Sequence, residues 1–401
     1  MTEVKDKAME DEQGIMKIAF LTSEYPPVHV GGAGIYAKYV TEGLAERGHQ
    51  VYVFAPKGAR TCHRNLKMIE VPAWQGPFVK SFSFWRNTAR AYKQAQKGVS
   101  SFDIVHINGY VDVFLGRPLT QDTVRITTVH HPVIGLLREF KPSFIERLQK
   151  IRSEIGIVPL LERLSVERAD HIVTVSEFSK SSILKYYGVP EEKVTCIYSG
   201  HEWVHPPQRL DRKASDTCKL LFVGRLEERK GLSFLLRSFA KASRLTEYKL
   251  TLEIVGAGSP GNYQKLASRL GIEESVKFRG YLPVHELNNM YSTADIFVMP
   301  SRMEGFGIVL LEAMDYGLPI ICTDRGGMPE VVSQYNRGFI VEFGNEKALA
   351  TMIGKVADAV CHNRLPEGNV DELRQVFNWS NHVQSLINLY ESLLDNKRRK
   401  T

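Results

Sequence analysis

Two rounds of the same alternation run along this chain. Short apolar runs at residues 17–22, 51–55, 66–71, 104–107, 125–129, 171–175 and 194–197 are bounded by polar and glycine-containing stretches, which predicts buried strands. Helical patterns lie between several of them. After residue 34, Ile35, Tyr36, Tyr39, Val40 and Leu44 share one helical face until Gly48 stops the helix; residues 144–169 and 179–187 also read as helix. Residues 200–217 break the pattern with Pro206, Pro207 and a charged run, and read as a linker. A second series of strands follows at 219–223, 249–255, 276–279, 296–299, 320–323 and 338–341. Helices are expected from Ile308 to about Gly317 and at 346–362 and 383–394. Strands alternating with helices predict parallel, doubly wound sheets. The expected fold class is therefore α/β: two Rossmann-like domains, facing each other across a deep cleft that would hold the ligand.

Composition narrows the class. With 401 residues there is chain enough for two or three domains, and 43% hydrophobic with 24% charged residues is ordinary for a globular protein. No apolar run approaches the ~18 residues needed to span a bilayer. Residues 1–15 are polar, lack a signal-peptide core and read as a mobile tail, so the expected location is cytoplasmic. Five scattered cysteines without a Cys-x-x-Cys pair point to neither zinc nor a disulfide framework.

The +7 net charge is uneven. Residues 57–98 carry nine Lys or Arg against a single acid, Glu70, with Trp74, Phe78, Phe82, Phe84, Trp85 and Tyr92 interleaved. Two readings stand: a solvated basic face over ordinary core aromatics, or a surface for anionic lipid headgroups or an anionic acceptor, at the inner face of a membrane. Nucleic acid is disfavoured, because no nucleic-acid module accompanies the charge.

The chemistry concentrates in residues 300–317, which leave an apolar strand, cross a turn with Gly305 and Gly307, and enter a helix. Glu304 and Glu312 bracket that turn. An uncompensated carboxylate would repel phosphate at such a strand-loop-helix junction, so both suit sugar hydroxyls. Near the amino end, Gly31 and Gly32 precede the first helix; Gly32-Ala33-Gly34-Ile35-Tyr36-Ala37 fits a loose dinucleotide fingerprint. The long loop before it and the missing acid after residues 51–55 count against that reading. His130, at the carboxyl end of a predicted strand, faces the expected ligand crevice.

These motifs, in this order, resemble the retaining, nucleotide-sugar-dependent glycosyltransferases of the GT-B fold, family 4. The resemblance runs from Met16 to Leu394. It rests on Glu304-Gly305-Phe306-Gly307-Ile308-Val309-Leu310-Leu311-Glu312, on Gly326-Gly327-Met328-Pro329-Glu330, and on Val223-Gly224-Arg225-Leu226-Glu227-Glu228-Arg229-Lys230-Gly231. It implies that Arg225 and Lys230 bind the donor diphosphate, which makes a divalent metal inessential, and that Glu312 binds the ribose. It further implies that Glu304 faces the donor sugar, with the amides of Gly305, Phe306, Gly307 and Gly327 beside it. Gly31 and Gly32 would approach the diphosphate, and His130 the sugar. Arg229 reads as an ordinary surface arginine. Where the related glycogen-synthase type has a lysine two residues before the paired glycines, this chain has His29; where an aspartate commonly follows the histidine, it has His131. By resemblance, residues 16–205 form the acceptor domain and 206–378 the donor domain, and after Asn378-Trp379-Ser380 the segment 379–401 crosses back as a helix onto the first.

The implied activity is transfer of a sugar from a UDP-, GDP- or ADP-sugar to a hydroxyl acceptor, with retention. No tightly bound cofactor is expected. A front-face route, in which the leaving phosphate takes the acceptor proton, is favoured over double displacement. The basic stretch motivates a lipid-linked or cell-envelope acceptor. Two alternatives belong to other classes: a sugar-nucleotide epimerase, which would turn over a nucleotide sugar without acceptor, and a non-catalytic sugar-nucleotide-binding protein. Retention of Arg225, Lys230, Glu304 and Glu312 together argues against the last.

Overall fold

A computed structural model describes residues 14–28, 31–61, 63–73, 79–99, 101–116, 120–135, 158–204 and 216–399. The chain divides into two compact units, Met1–Gly200 with Trp379–Thr401, and His201–Asn378.

The first unit carries strands β1 (Lys17–Thr22), β2 (Gln50–Pro56), β3 (Leu66–Val71), β4 (Ile104–Asn108), β5 (Val124–Thr128), β6 (His171–Thr174) and β7 (Val194–Cys196). Among the described residues they form one parallel sheet in the order β3-β2-β1-β4-β5-β6-β7. The second unit carries β8 (Thr217–Val223), β9 (Lys249–Val255), β10 (Val276–Gly280), β11 (Ile296–Met299), β12 (Ile320–Thr323) and β13 (Gly338–Val341), ordered β10-β9-β8-β11-β12-β13. In each sheet the strand order reverses once, between β1 and β4 and between β8 and β11. Loops leaving such a pair diverge and open a crevice at the strands' carboxyl ends. The chain thus has the expected two Rossmann-like domains.

The inner strands are apolar because helices cover both faces, whereas the edge strands β3 and β10 keep exposed polar positions. In the second unit Leu220, Phe222, Leu252 and Ile254 meet Leu235, Phe239 and Ile353 in one core. Each such side chain, fully buried, contributes roughly 2 kcal/mol. Phe84, Trp85 and Tyr92, which the sequence left open as surface aromatics, belong to the first unit's core with Phe54 and Phe102. The reason is periodicity: they line the inner face of helix Val79–Gly98, while Arg86, Arg90, Lys93 and Lys97 line its exposed face. Trp74 and Phe78 lie outside the described residues.

Several boundaries differ from expectation: the helix expected at 383–394 runs Trp379–Arg398, a further helix Val370–Val376 precedes it, and three other differences are informative. The first helix spans Gly32–Glu46, so Gly32 and Gly34 lie inside it and Gly31 is its N-cap; glycine chemistry signals a loop, but also allows an open first turn. The helix expected at 144–169 is described only as Val158–Arg168, the remainder lying outside the described residues. Residues 201–204 are no linker but are tied into the second unit. The His201 amide and the Trp203 indole both donate to the Phe377 carbonyl, at 3.0 and 2.8 Å, and the Val204 amide donates to Asp315 Oδ2 at 2.8 Å. Such bonds leave no periodic trace in sequence.

Helix Trp379–Arg398 packs within the first unit. Trp379 stacks on Tyr39 with centroids 5.0 Å apart, Arg47 Nη2 donates to Ser380 Oγ at 2.8 Å, and Lys397 Nζ meets Asp170 at 3.2 Å.

Candidate active site

In the second unit two loops leave the neighbouring strands β8 and β11 and are locked together. The loop after β8 contains a short 3-10 turn, Glu228–Lys230, closed by Gly231 at φ +73°. A Cβ on Gly231 would lie 1.9 Å from the Pro300 carbonyl oxygen. Only glycine fits there, for both conformation and space. The Arg302 amide donates back to the Arg229 carbonyl at 2.8 Å.

This locking brings Glu304 to two cations. Lys230 Nζ donates to Glu304 Oε1 at 2.6 Å and Arg229 Nη1 to the same oxygen at 3.0 Å; Arg229 Nη1 also reaches the Met303 carbonyl at 2.8 Å. Glu304 is thus a carboxylate compensated by two cations. One expectation is corrected here. Arg229, whose side chain is 18% exposed, is no ordinary surface arginine. Its function was not legible from the charged run Glu227-Glu228-Arg229-Lys230, because the 3-10 turn decides which way each side chain points. Arg225 is not brought to Glu304. Its side chain is 61% exposed and its Nε sits 3.4 Å from Glu227 Oε1 of its own loop.

The rest of the turn is held by backbone. Gly327 donates its amide to the Glu304 carbonyl at 2.9 Å, so in this state that amide is committed within the protein. A Cβ on Gly326, at φ +68°, would sit 2.0 Å from the same carbonyl oxygen. Phe306 buries its ring against Phe377, centroids 5.7 Å apart, and thereby anchors the stretch carrying the Gly305 and Gly307 amides. Gly307, at φ +93°, caps helix Ile308–Asp315, whose first amides point out unpaired with any side-chain cap. Glu312, one turn into that helix, accepts from the Tyr291 hydroxyl at Oε2, 2.7 Å, while Tyr291 stacks on Tyr316. One carboxylate oxygen is thus fixed, and the other keeps its acceptor capacity for a ligand. Tyr291 was not singled out from sequence; nothing in a lone helical tyrosine announces it.

A cavity of about 280 Å³ opens at the carboxyl ends of β8, β9 and β10, lined by Leu226, Gly256, Gly258, Gln264, Phe278 and Gly280. Its floor is backbone: a Cβ on Gly256 would fall 1.9 Å from the Gly224 carbonyl oxygen.

In the first unit, Gly31 donates its amide to Glu24 Oε2 at 3.1 Å, and Gly31 and Gly32 open helix Gly32–Glu46. His130 Nε2 lies 2.8 Å from Asn108 Oδ1, while Asn108 Nδ2 donates to Thr22 Oγ1 and the Ala33 carbonyl at 3.1 and 3.0 Å. The amide oxygen can only accept, so His130 carries its proton on Nε2 and Nδ1 is left as an acceptor. Burial, and then the neighbouring His131, push the His130 pKa down to about 3. Asn108, at the end of β4 beside the strand reversal, thus orients the His130 ring, and its place at a strand's carboxyl end is the same one that singles out His130.

Behind it runs a buried chain of hydrogen bonds whose proton positions follow from the Tyr198 carbonyl. His382 Nδ1 must donate to that carbonyl at 2.8 Å, so its Nε2 accepts from the Tyr36 hydroxyl at 3.2 Å. Tyr36 then accepts from Thr128 Oγ1 at 3.3 Å, and Thr128 from His106 Nε2 at 2.6 Å. His106 Nδ1 is left to accept from Tyr390. Both imidazoles are neutral, with pKa values lowered by burial to about 3 for His106 and about 4 for His382. The terminal helix is thereby wired to β4 and β5, the strands that end in Asn108 and lead to His130. Glu162 holds the following loop by accepting from the Val133 amide at 2.7 Å and from Tyr187. Among the described residues no cluster of three or more His, Cys, Asp or Glu could hold a metal, and no helix is long and apolar enough to cross a membrane.

The family model for glycosyl transferases group 1 matches residues 209–359, and that for Glycosyltransferase Family 4 matches residues 30–202. An uncharacterized glycosyltransferase of Methanocaldococcus jannaschii is 27% identical over 95% of this chain and 99% of its own. An MMP alpha-(1->4)-mannosyltransferase of Mycolicibacterium hassiacum is 26% identical over 94% of this chain and 98% of its own. Among solved structures, sucrose-phosphate synthase from Thermosynechococcus elongatus superposes with a TM-score of 0.77 at 21% identity, covering 94% of this chain and 99% of that one.

Proposed function

The chain belongs to the GT-B glycosyltransferases of the family 4 type, and on that premise we propose that it moves a hexosyl-type sugar from a nucleoside-diphosphate sugar to a hydroxyl acceptor, with retention. The observation that carries the reading is the pairing of Lys230 and Arg229 with Glu304 on two locked loops, at the point where the second sheet's strand order reverses. Cations there suit a diphosphate, and a fixed carboxylate suits sugar hydroxyls.

In this reading Arg225 and Lys230 neutralise the diphosphate and the charge that grows on it as the glycosidic bond breaks. Glu312, oriented by Tyr291, takes the ribose diol, and the cavity beside Leu226 and Phe278 takes the nucleobase. His130 offers its Nδ1 lone pair to a sugar hydroxyl. In the front-face route the acceptor oxygen bonds to the anomeric carbon as the phosphate oxygen leaves, and that oxygen receives the acceptor's proton. Isothermal titration with UDP, GDP and ADP should give a Kd between about 1 μM and 1 mM for at least one of them. NMR of the product from an α-donor should show an α-linkage; a β-linked product would overturn retention, and turnover without acceptor would favour the epimerase.

For the acceptor side, the exposed basic face of helix Val79–Gly98 is the support. Arg86, Arg90, Lys93 and Lys97 follow one stripe, and Phe82, 53% exposed, packs edge-on against Phe114 at its end. The proposal is a lipid-linked or cell-envelope acceptor at an anionic membrane surface. Vesicles containing anionic lipid should sediment the protein at low salt and release it as ionic strength rises; no sedimentation at low salt removes this part.

A further inference from the structure

The two cations on Glu304 are not equivalent. Lys230 reaches only the carboxylate oxygen with its ammonium at 2.6 Å, on a flexible stem. Arg229 is fixed by a fork: one Nη1 serves both the Met303 carbonyl and Glu304 Oε1, and Nη2 lies 3.7 Å from Glu227. Its own carbonyl is clamped by the Arg302 amide. A guanidinium so anchored stays in place when the local charge changes.

A diphosphate arriving at this loop competes with Glu304 for Lys230. Without Arg229, donor binding would draw Lys230 away from a mostly buried carboxylate and place that carboxylate beside new negative charge. That is among the most costly rearrangements available to a site. With Arg229 present, the carboxylate keeps a partner while Lys230 turns to the phosphates.

We infer that Arg229 is a positioning residue that holds Glu304 and so frees Lys230 for the donor's diphosphate. This rests on the nucleotide-sugar reading of the same site.

The test is a double-mutant cycle with the tightest-binding of UDP, GDP and ADP as the probe, followed by titration calorimetry. Arg229→Gln should weaken binding about tenfold, because Lys230 is then retained by Glu304. In a Glu304→Gln background, where no carboxylate competes, the same change should cost less than about threefold. Arg229→Lys, which keeps the charge but not the fork, should bind less tightly than the wild type yet more tightly than the glutamine variant, and a denaturation curve for each variant separates a folding defect from lost binding. Equal losses in both backgrounds, or no loss in either, would overturn the inference. Failure of the unaltered protein to bind any of the three nucleotides would instead overturn the reading beneath it, and the inference with it.

Discussion

Lys230→Ala should lower kcat/KM by about three orders of magnitude, with most of the loss in kcat. The lysine is proposed to meet charge that grows on the departing diphosphate, and an interaction stronger in the transition state than in the ground state appears in kcat. The alanine variant would still fold. Glu304 keeps Arg229, 3.0 Å away, and the loop retains its Gly231 and Arg302 locks. Steady-state kinetics beside a denaturation curve separates the two effects. Lys230→Arg should recover only part of the rate, since a planar fork cannot both clear Glu304 and reach the same phosphate oxygens. Activity of the alanine variant within about threefold of the wild type would remove Lys230 from the mechanism.

Acid should unfold the first unit well above the pH at which carboxylates titrate. His106, His130, His171 and His382 all have folded-state pKa values pushed below their ordinary value, chiefly by burial, to about 3, 3, 4 and 4. As pH falls through about 6.5 the unfolded chain takes up these protons and the folded chain does not, so stability is present above that pH and lost below it. Each group contributes up to about 2 kcal/mol of that loss by pH 5. Glu162 acts in the opposite sense. Burial raises its pKa to about 7, so its penalty grows as pH rises from 4.5 to 7 and is relieved on acidification. One carboxyl does not offset four imidazoles. Among the described residues the buried histidines, His49 included, all lie in the first unit. Protonating His382 would also put a second donor against the Tyr36 hydroxyl and reverse the chain to Tyr390. Hydrogen exchange, corrected for intrinsic rates, should therefore accelerate in helix Trp379–Arg398 between pH 7 and 5, ahead of β8 and β9. Equal protection of that helix at both pH values would refute the account.

Much of this protein is legible in its sequence. Strand runs such as 17–22, 296–299 and 320–323 coincide with observed strands because burial on both faces demands continuous apolar sequence. The alternation with helices then left parallel doubly wound sheets as the economical answer. The Gly-Phe-Gly turn between Glu304 and Glu312 was readable as well, because few other composition patterns allow backbone to approach a ligand. Chain order could also place Lys230 on a loop leaving a strand.

What sequence could not say is which charges meet. Arg225, Arg229 and Lys230 stand within six residues of one another, and a chain of letters gives no reason to prefer one as a partner for Glu304. The 3-10 turn at Glu228–Lys230, the Gly231–Pro300 contact and the Gly326–Glu304 contact make that choice, through atoms some seventy residues apart or more than twenty. The same holds for His130, whose tautomer is set by Asn108, and for the wire from Tyr390 through His106 to His382. Local pattern records which face of an element is buried, because burial acts on each residue separately. Hydrogen bonds and ion pairs act between residues, and their geometry exists only once the sheets have brought distant loops to the same strand ends.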